Sequence, residues 1–201
     1  MTNKHSSSAG DRMDPATLAK LIQGAKGGNV DAFQEIYEAF ARRILNFVFR
    51  MVNSQEEAED LTQETFVAVY QKLESLKDNG KFEPWLFRIA RNFVYQRYRE
   101  RTPSMVSVDA LDEDGRMVTQ VADVRKNPDE AFQSAELDDI VAEVIAGLPE
   151  KYREVFVLSA LQGLSYQQIA DIVGHSLPSV KTDIHRARLE VRERVKNYLK
   201  V

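Results

Sequence analysis

The residues between positions 88 and 101 combine arginines with aromatic rings at helical spacing. The stretch holds five arginines and one glutamate, a net charge of 5 − 1 = +4. Guanidinium groups bind phosphates and aromatic rings stack on unpaired bases, so the combination suits single-stranded nucleic acid. The face expected to carry this chemistry consists of Arg88, Arg91, Asn92, Tyr95, Tyr98 and Arg99. For Trp85, near the start of the same helix, a core position is favoured over a stacking platform.

A second basic surface is predicted near the C-terminus. A short apolar helix, a turn at Gly174 and a longer helix follow one another in the run SYQQIADIVGHSLPSVKTDIHRARLEVRERV. Seven Lys/Arg and three acids lie between Lys181 and Lys200, a net charge of 7 − 3 = +4. The stripe predicted to be buried is Val180, Ile184, Ala187, Val191 and Tyr198. The opposite, outward face is Lys181, Thr182, His185, Arg186, Leu189 and Arg192. The pattern favours a helix-turn-helix whose second helix enters the major groove, and the alternative is a solvated helix of a bundle.

An acidic helix face is predicted between residues 54 and 77. Five acids and no basic residue lie between Ser54 and Gln71. The buried arc is Ala58, Leu61, Thr65, Phe66, Val69, Leu73 and Leu76, and the outward face is Glu56, Asp60, Gln63, Glu64, Val67 and Gln71. An acidic face with a valine at its centre indicates docking to a basic partner, whereas the alternative is a soluble face rich in glutamate.

The connector SLKDNGKFE, residues 75–83, is either a flexible loop that closes over a flipped base or a plain connector.

The sequence offers little that could catalyse a reaction. The three histidines, His5, His175 and His185, have no carboxylate or cysteine partners at ligand spacing, and no Gly-rich phosphate loop is present. The chain has no cysteine, which excludes disulfides, thiolate metal sites and cysteine nucleophiles. We therefore predict a protein that is not an enzyme and has no catalytic residue, metal site or cofactor.

Helices must position these surfaces, because helical periodicity dominates the chain. Helices are predicted over 15–28, 30–52, 54–77, 83–101, 132–146, 149–161, 165–173 and 178–199. No alternating strand pattern is longer than a few residues, so the predicted fold class is all-α. Ser54 with Glu57 and Ser165 with Gln168 have capping-box spacing, and Pro84 and Pro149 are expected at first helical positions.

The composition divides the chain into two small helical domains. Between Ser107 and Asp139 ten acids oppose three basic residues, a net charge of 3 − 10 = −7. We predict a disordered tail over 1–14, a helical domain over 15–102, a flexible acidic linker over 103–131 and a helix-turn-helix domain over 132–201. No stretch suits a signal peptide or a membrane span, which indicates a cytoplasmic protein without membrane insertion. The overall charge of −4 in 201 residues is only weak evidence against nucleic-acid binding, because it is an average in which basic and acidic segments cancel.

Four motifs in order resemble the extracytoplasmic-function (ECF, group IV) sigma factors of bacterial RNA polymerase. DAFQEIYEAFARRILNFVFRM is similar to the first conserved helix of this family, and EEAEDLTQETFVAVYQKL to its polymerase-binding signature. FEPWLFRIARNFVYQRYRER is similar to the promoter-melting helix. LPEKYREVFVLSALQGLSYQQIADIVG followed by SVKTDIHRARLEVRERV resembles the C-terminal helix-turn-helix.

The resemblance implies three sets of contacts. Docking on core RNA polymerase, at the clamp coiled coil of its largest subunit, is implied for Asp60, Gln63, Glu64, Val67 and Gln71. Contact with the −10 element of promoter DNA is implied for Arg88, Arg91, Asn92, Tyr95 and Arg99, with the 75–83 loop holding a flipped base. Contact with the −35 element is implied for Ser179, Lys181, Thr182, Asp183, His185 and Arg186. The family further implies contact with the flap of the second polymerase subunit, a linker near the RNA exit path, an anti-sigma factor, and a stress- or envelope-responsive regulon.

Two positions depart from the family pattern. Pro178 stands where the family usually has glycine, and because proline suits a helix start the fold is expected to survive. Asp183 replaces a commonly basic residue, and an acid at a base edge can accept from cytosine N4, so Asp183 is expected to contribute to promoter specificity. The alternative function is a sigma mimic that sequesters an anti-sigma factor. Such mimics tend to lose the basic DNA-facing residues and are usually fused to a phosphoacceptor domain, for which no extra residues are expected here.

Overall fold

The computed structural model describes residues 13–101 and 140–198, and all regular elements within these ranges are helical. The N-terminal domain contains α1 (Pro15–Lys26), α2 (Val30–Val52), α3 (Gln55–Lys72) and α4 (Phe82–Arg101). Two 3₁₀ turns, Leu73–Ser75 and Asn79–Lys81, connect α3 to α4. The C-terminal domain contains α5 (140–146), α6 (Glu150–Phe156), which continues as a π-helical turn (Val157–Leu161), α7 (Tyr166–Val173) and α8 (Leu177–Tyr198). The all-α prediction is confirmed, whereas the predicted tail and acidic linker lie almost wholly outside the described residues.

Helix starts follow the local sequence chemistry, with two differences from prediction. Ser165 and Gln168 form both hydrogen bonds of a capping box, and the Ser54 side chain accepts from the Glu57 backbone N–H. Pro84 is the third residue of α4 rather than the first, and Pro149 precedes α6 as its N-cap. Both positions tolerate proline, because the first-turn N–H groups of a helix lack intrahelical acceptors. Helix α3 ends at Lys72 instead of the predicted residue 77, and the chain continues from Leu73 as a 3₁₀ turn.

The core of the N-terminal domain is formed by the predicted apolar faces of α2, α3 and α4. All seven residues of the predicted α3 arc are buried. Aromatic rings meet edge to face across the helices, with centroids 5.6 Å apart for Phe47 and Phe87 and 5.4 Å apart for Phe40 and Phe82. Trp85 is half-buried and packs against this core, as expected. Since opposed apolar stripes bury each other, α3 and α4 must turn their polar faces away from the core of the N-terminal domain.

The C-terminal domain contains the predicted helix-turn-helix. Gly174 ends α7 with a φ of 78°, a left-handed conformation that glycine adopts without steric cost. Val180, Ile184 and Ala187 of α8 are buried, but Tyr198 is 44% exposed and differs from the predicted stripe. Its hydroxyl donates instead to Glu143 at the surface, which satisfies the polar end of the ring.

The two domains pack against each other. The buried apolar residues of both domains form one continuous cluster, in which α4 lies against α7 and α2 contacts α6 and the π-helical turn. This packing determines which faces of α4 can meet solvent. Within the described ranges, no helix combines the length and apolar character needed to cross a bilayer.

Candidate functional site

An acidic groove lies between α3 and α4. Its lining residues are Asp60, Gln63, Glu64, Val67, Ala68, Gln71 and Phe93. The groove therefore gathers all five residues for which polymerase contact is implied. Val67 is 57% exposed, which is high for an apolar side chain and leaves its methyl groups available to a partner. Sequence periodicity missed Ala68 and assigned Phe93 to the core, because both lie at the border between the buried and outward faces.

The acids of α3 fall into two groups with different partners. Glu57 is 14% exposed at its side chain and pairs with Arg101 and, at 3.5 Å, with Arg97 of α4. Arg97 also reaches Glu64 at 3.8 Å, but the Glu64 side chain remains 49% exposed. Asp60 makes no ion pair within the part of the chain that the structure describes. The groove thus keeps negative charge that the N-terminal domain does not neutralise itself.

The arginine-rich face of α4 is turned toward the C-terminal domain. Arg91 Nε lies 2.6 Å from Glu154 Oε1, and the Tyr95 hydroxyl donates to Glu154 Oε2 at 3.0 Å. Arg88 donates to the backbone carbonyl of Asp171 on α7. Three of the five residues implied in −10 contact, Arg88, Arg91 and Tyr95, thus bond to the C-terminal domain, whereas Arg88, Asn92 and Arg99 are exposed. The predicted outward position of Arg91 and Tyr95 is corrected accordingly, because helices of the C-terminal domain cover them.

Glu154 is a buried carboxylate with only 3% exposure. Burial raises the pKa of Glu154, while the Arg91 guanidinium and the hydrogen bonds from Arg91 and Tyr95 oppose that rise. Burial also raises the pKa of Tyr95, and the nearby Glu154 carboxylate adds to the rise. Tyr95 therefore remains a phenol that donates to the carboxylate. The buried Glu154 carboxylate stabilises the packing of the two domains only while Arg91 and Tyr95 donate to it, because an unpaired buried charge is costly.

The connector between α3 and α4 is attached to α1. Lys26 Nζ donates to the Leu76 carbonyl at 2.5 Å and to Asn79 Oδ1 at 3.0 Å. Asp78 Oδ1 accepts from the Gly80 N–H at 2.9 Å, which closes an Asx turn. The connector, predicted as either a flexible loop or a plain connector, is therefore held at its centre. Lys26 was missed because its partners lie 50 and 53 residues away.

The N-terminal half of α8 presents most of the residues implied in −35 contact. Lys181, Thr182, His185 and Arg186 are exposed, and Ser179 is half-buried. Arg186 donates to the Tyr152 hydroxyl at 3.3 Å, a contact between α8 and α6 that sequence reasoning did not find. Pro178 is the second residue of α8 and Ser176 Oγ accepts from the Ser179 N–H, so the helix starts normally despite the departure from glycine.

Asp183 lies on the packed side of α8 rather than on the outward face. It is 6% exposed and its carboxylate is 3.5 Å from Lys151 Nζ on α6. This position corrects the expectation that Asp183 reads a base edge. The spacing contained the signal, since residue 183 falls three after Val180 and four before Ala187, within the buried stripe.

We expect Asp183→Asn to lower the free energy of unfolding by about 1 kcal/mol, because the substitution removes the charge by which the buried Asp183 carboxylate pairs with the half-exposed Lys151. Thermal denaturation followed by circular dichroism measures this loss. The ranking of −35 variants in a transcription assay should stay unchanged. A reordered ranking with unaltered stability would restore the base-reading role.

Among residues 13–101 and 140–198, no group of histidines and acids is arranged to hold a metal ion. The candidate binding features described above are surfaces. They comprise an acidic groove, a covered basic face and an exposed basic helix.

Comparison with known proteins gives two family matches in the order of the two domains. Sigma-70 region 2 matches residues 36–103, and Sigma-70, region 4 matches residues 138–191. The chain is 34% identical over 182 residues to the ECF RNA polymerase sigma factor SigW of Bacillus subtilis (strain 168), covering 90% of this chain and 97% of that protein. It is 32% identical over 181 residues to the ECF RNA polymerase sigma-E factor of Escherichia coli (strain K12), covering 87% and 92%.

A solved structure shares the fold and helps to define the class. The co-crystal structure of the sigma factor RpoE with the anti-sigma factor NepR from Bartonella quintana matches with a TM-score of 0.65 and 26% identity, over 83% of this chain and 98% of that chain. A helical region 2 followed by a helix-turn-helix region 4 defines a sigma-70-type transcription factor. Within that class, the chain belongs to the ECF RNA polymerase sigma factors.

Proposed function

We propose that the chain binds core RNA polymerase through the groove between α3 and α4. The observation that carries this proposal is the gathering of Asp60, Gln63, Glu64, Val67 and Gln71 along one open groove. Negative charge around an exposed valine is complementary to a basic helical surface with an apolar centre. The clamp coiled coil of the largest polymerase subunit is the partner proposed for this groove, and the flap of the second subunit is proposed for the C-terminal domain.

Promoter recognition is proposed to divide between the two domains. Residues 15–102 would act as region 2 and contact the −10 element through α4, with the 75–83 loop at a flipped base. Residues 132–201 would act as region 4 and contact the −35 element through α8. The exposed Lys181 and Arg186 support this assignment, because cationic side chains on the N-terminal half of a recognition helix reach base edges and phosphates. Asp183 is omitted from the direct contacts.

The chain is further proposed to act in the cytoplasm, without catalysis of its own, under the control of an anti-sigma factor. A partner of this kind accompanies the Bartonella quintana protein in its crystal structure. The inducing signal proposed for the regulon is a stress or a change at the cell envelope. The exposed acidic groove supports control by a competing protein, since any ligand that covers it would exclude polymerase.

Run-off transcription tests the proposed function against the sigma-mimic alternative. The purified chain is added to core polymerase lacking other sigma factors, with promoters taken from transcript starts mapped after overexpression. We expect transcripts from cognate promoters only when the chain is present. A mimic would bind an anti-sigma factor yet give no transcript, and that outcome would contradict the proposal.

A further inference from the structure

We propose that the C-terminal domain closes over α4 as an intramolecular latch, with Glu154 occupying the place of a DNA phosphate. The inference rests on the proposed function, because the covered residues Arg91 and Tyr95 are among those assigned to the −10 element. It goes further in assigning an autoinhibited state to the chain alone and in naming the side chain that maintains it.

The contacts of Glu154 resemble those that a phosphate would make. Its two oxygens separately accept from Arg91 at 2.6 Å and from Tyr95 at 3.0 Å. A guanidinium binds carboxylate and phosphate oxygens with the same donor geometry. The Arg91 guanidinium also lies over the Tyr95 ring, 4.4 Å from its centroid, so the carboxylate meets a preformed cationic and aromatic pair. Glu154 and a DNA phosphate therefore cannot occupy this pair together.

Further arginines hold the two domains together around this contact. Arg88 of α4 donates to the Asp171 carbonyl, and Arg43 of α2 donates to the Gln162 carbonyl at 3.2 Å. In the reverse direction Arg153 of α6 donates to the Met51 carbonyl of α2 at 3.1 Å. In each of these contacts an arginine of one domain donates to a backbone carbonyl of the other domain, and both domains contribute arginines. Glu154 differs from them because it supplies the buried negative charge opposite α4.

Opening of the latch separates the two domains and therefore also exposes part of the apolar cluster that they share. Glu154 lies on α6 between the two domains, and the side chains that donate hydrogen bonds to it in the described part of the chain belong to α4. Separation of the domains would return the carboxylate, Arg91 and Tyr95 to water. A substitution at Glu154 therefore acts on the interface, and its cost to the fold of the C-terminal domain should be small.

The test measures closure and DNA binding separately in the full chain. Because the chain has no cysteine, Lys72→Cys and Asn197→Cys provide two exposed sites for a fluorescent donor and acceptor. Glu154→Lys places a second cation against Arg91 and should open the latch, which lowers energy transfer. Affinity for a fluorescent single-stranded −10 oligonucleotide should rise roughly tenfold, as expected when a binding-competent state becomes populated. Glu193→Lys is the matched control, because it makes the same charge change on exposed α8.

Glu154→Ala removes the carboxylate without adding charge, and its circular dichroism melt verifies that the domains stay folded. Lower energy transfer with tighter oligonucleotide binding in both Glu154 variants, but not in Glu193→Lys, supports the latch. Unchanged energy transfer in both folded variants overturns it, as does opening without a gain in DNA affinity. Arg99→Ala changes an exposed residue outside the latch, and it distinguishes a failure of the proposed −10 contact from a failure of the latch. If the opened chain binds DNA equally well without Arg99, the −10 assignment fails while the energy-transfer result still stands.

Discussion

Replacing Asp60 and Glu64 together by lysine is expected to weaken binding of the chain to core RNA polymerase by roughly 100-fold. The two carboxylates line the groove between α3 and α4, and charge reversal would set cations against the basic surface proposed for the partner. Like charges across an interface cost several kcal/mol, and a factor of 100 corresponds to about 2.7 kcal/mol. Fluorescence anisotropy of the labelled chain titrated with core polymerase measures the dissociation constant.

The matched control carries the same charge change outside the groove. Glu59→Lys with Glu74→Lys alters two exposed acids on α3 and the following turn, neither of which lines the groove. The control should keep an affinity within roughly threefold of the unmodified chain, because isolated surface charges contribute little. An equal loss of polymerase affinity in both double variants would indicate a general charge effect. Unchanged affinity in both would show that the groove is not part of the polymerase interface.

Arg186→Ala is expected to lower initiation from promoters with an intact −35 element by about 10- to 100-fold. An arginine bonded to a base edge contributes about 1–3 kcal/mol of discrimination, and its loss also removes a phosphate-attracting charge. Arg186 is suited to this role because the Tyr152 hydroxyl, 3.3 Å away, accepts one of its N–H groups and limits its rotamers. Run-off transcription with reconstituted holoenzyme on intact and scrambled −35 sequences measures the effect.

Arg188→Ala provides the comparison for this variant. Arg188 is also exposed on α8 but falls about 200° around the helix from Arg186, outside the proposed DNA-facing residues. We expect its removal to leave the preference for an intact −35 element unchanged. An equal deficit on scrambled and intact templates for Arg186→Ala would show that the residue acts without reading this element.

The fold could be predicted closely because its information is local. Helical periodicity identified the buried arc of α3 and the turn at Gly174, since side-chain spacing of 3.6 residues per turn determines which positions share a face. The acidic face of α3 followed from the same pattern, because residues that alternate with a buried arc must face outward, whereas the groove that this face forms with Phe93 of α4 was not predicted. Capping at Ser165 was predictable for a similar reason, as both of its partners lie within one helical turn.

The covered face of α4 could not be predicted, because it depends on contacts between distant segments. Nothing in the sequence around Glu154 distinguishes it from a solvated glutamate, and its partners Arg91 and Tyr95 are 63 and 59 residues away. Asp183 was misplaced for a different reason. Its spacing matched the buried stripe, but the family resemblance assigned it to the −35 contacts, and in the structure its carboxylate pairs with Lys151.

The difference in access between the two sides of α4 has a kinetic consequence. The groove toward α3 is open, whereas the side bearing Arg91 and Tyr95 is closed by Glu154. If both proposed interfaces hold, polymerase meets its surface in a single bimolecular step whose rate grows with polymerase concentration. Engagement of the −10 element must additionally wait for a unimolecular opening of the domains, whose rate does not depend on how much DNA is present. Assembly would therefore have a preferred order, with polymerase bound first and domain opening limiting how fast the complex commits to a promoter.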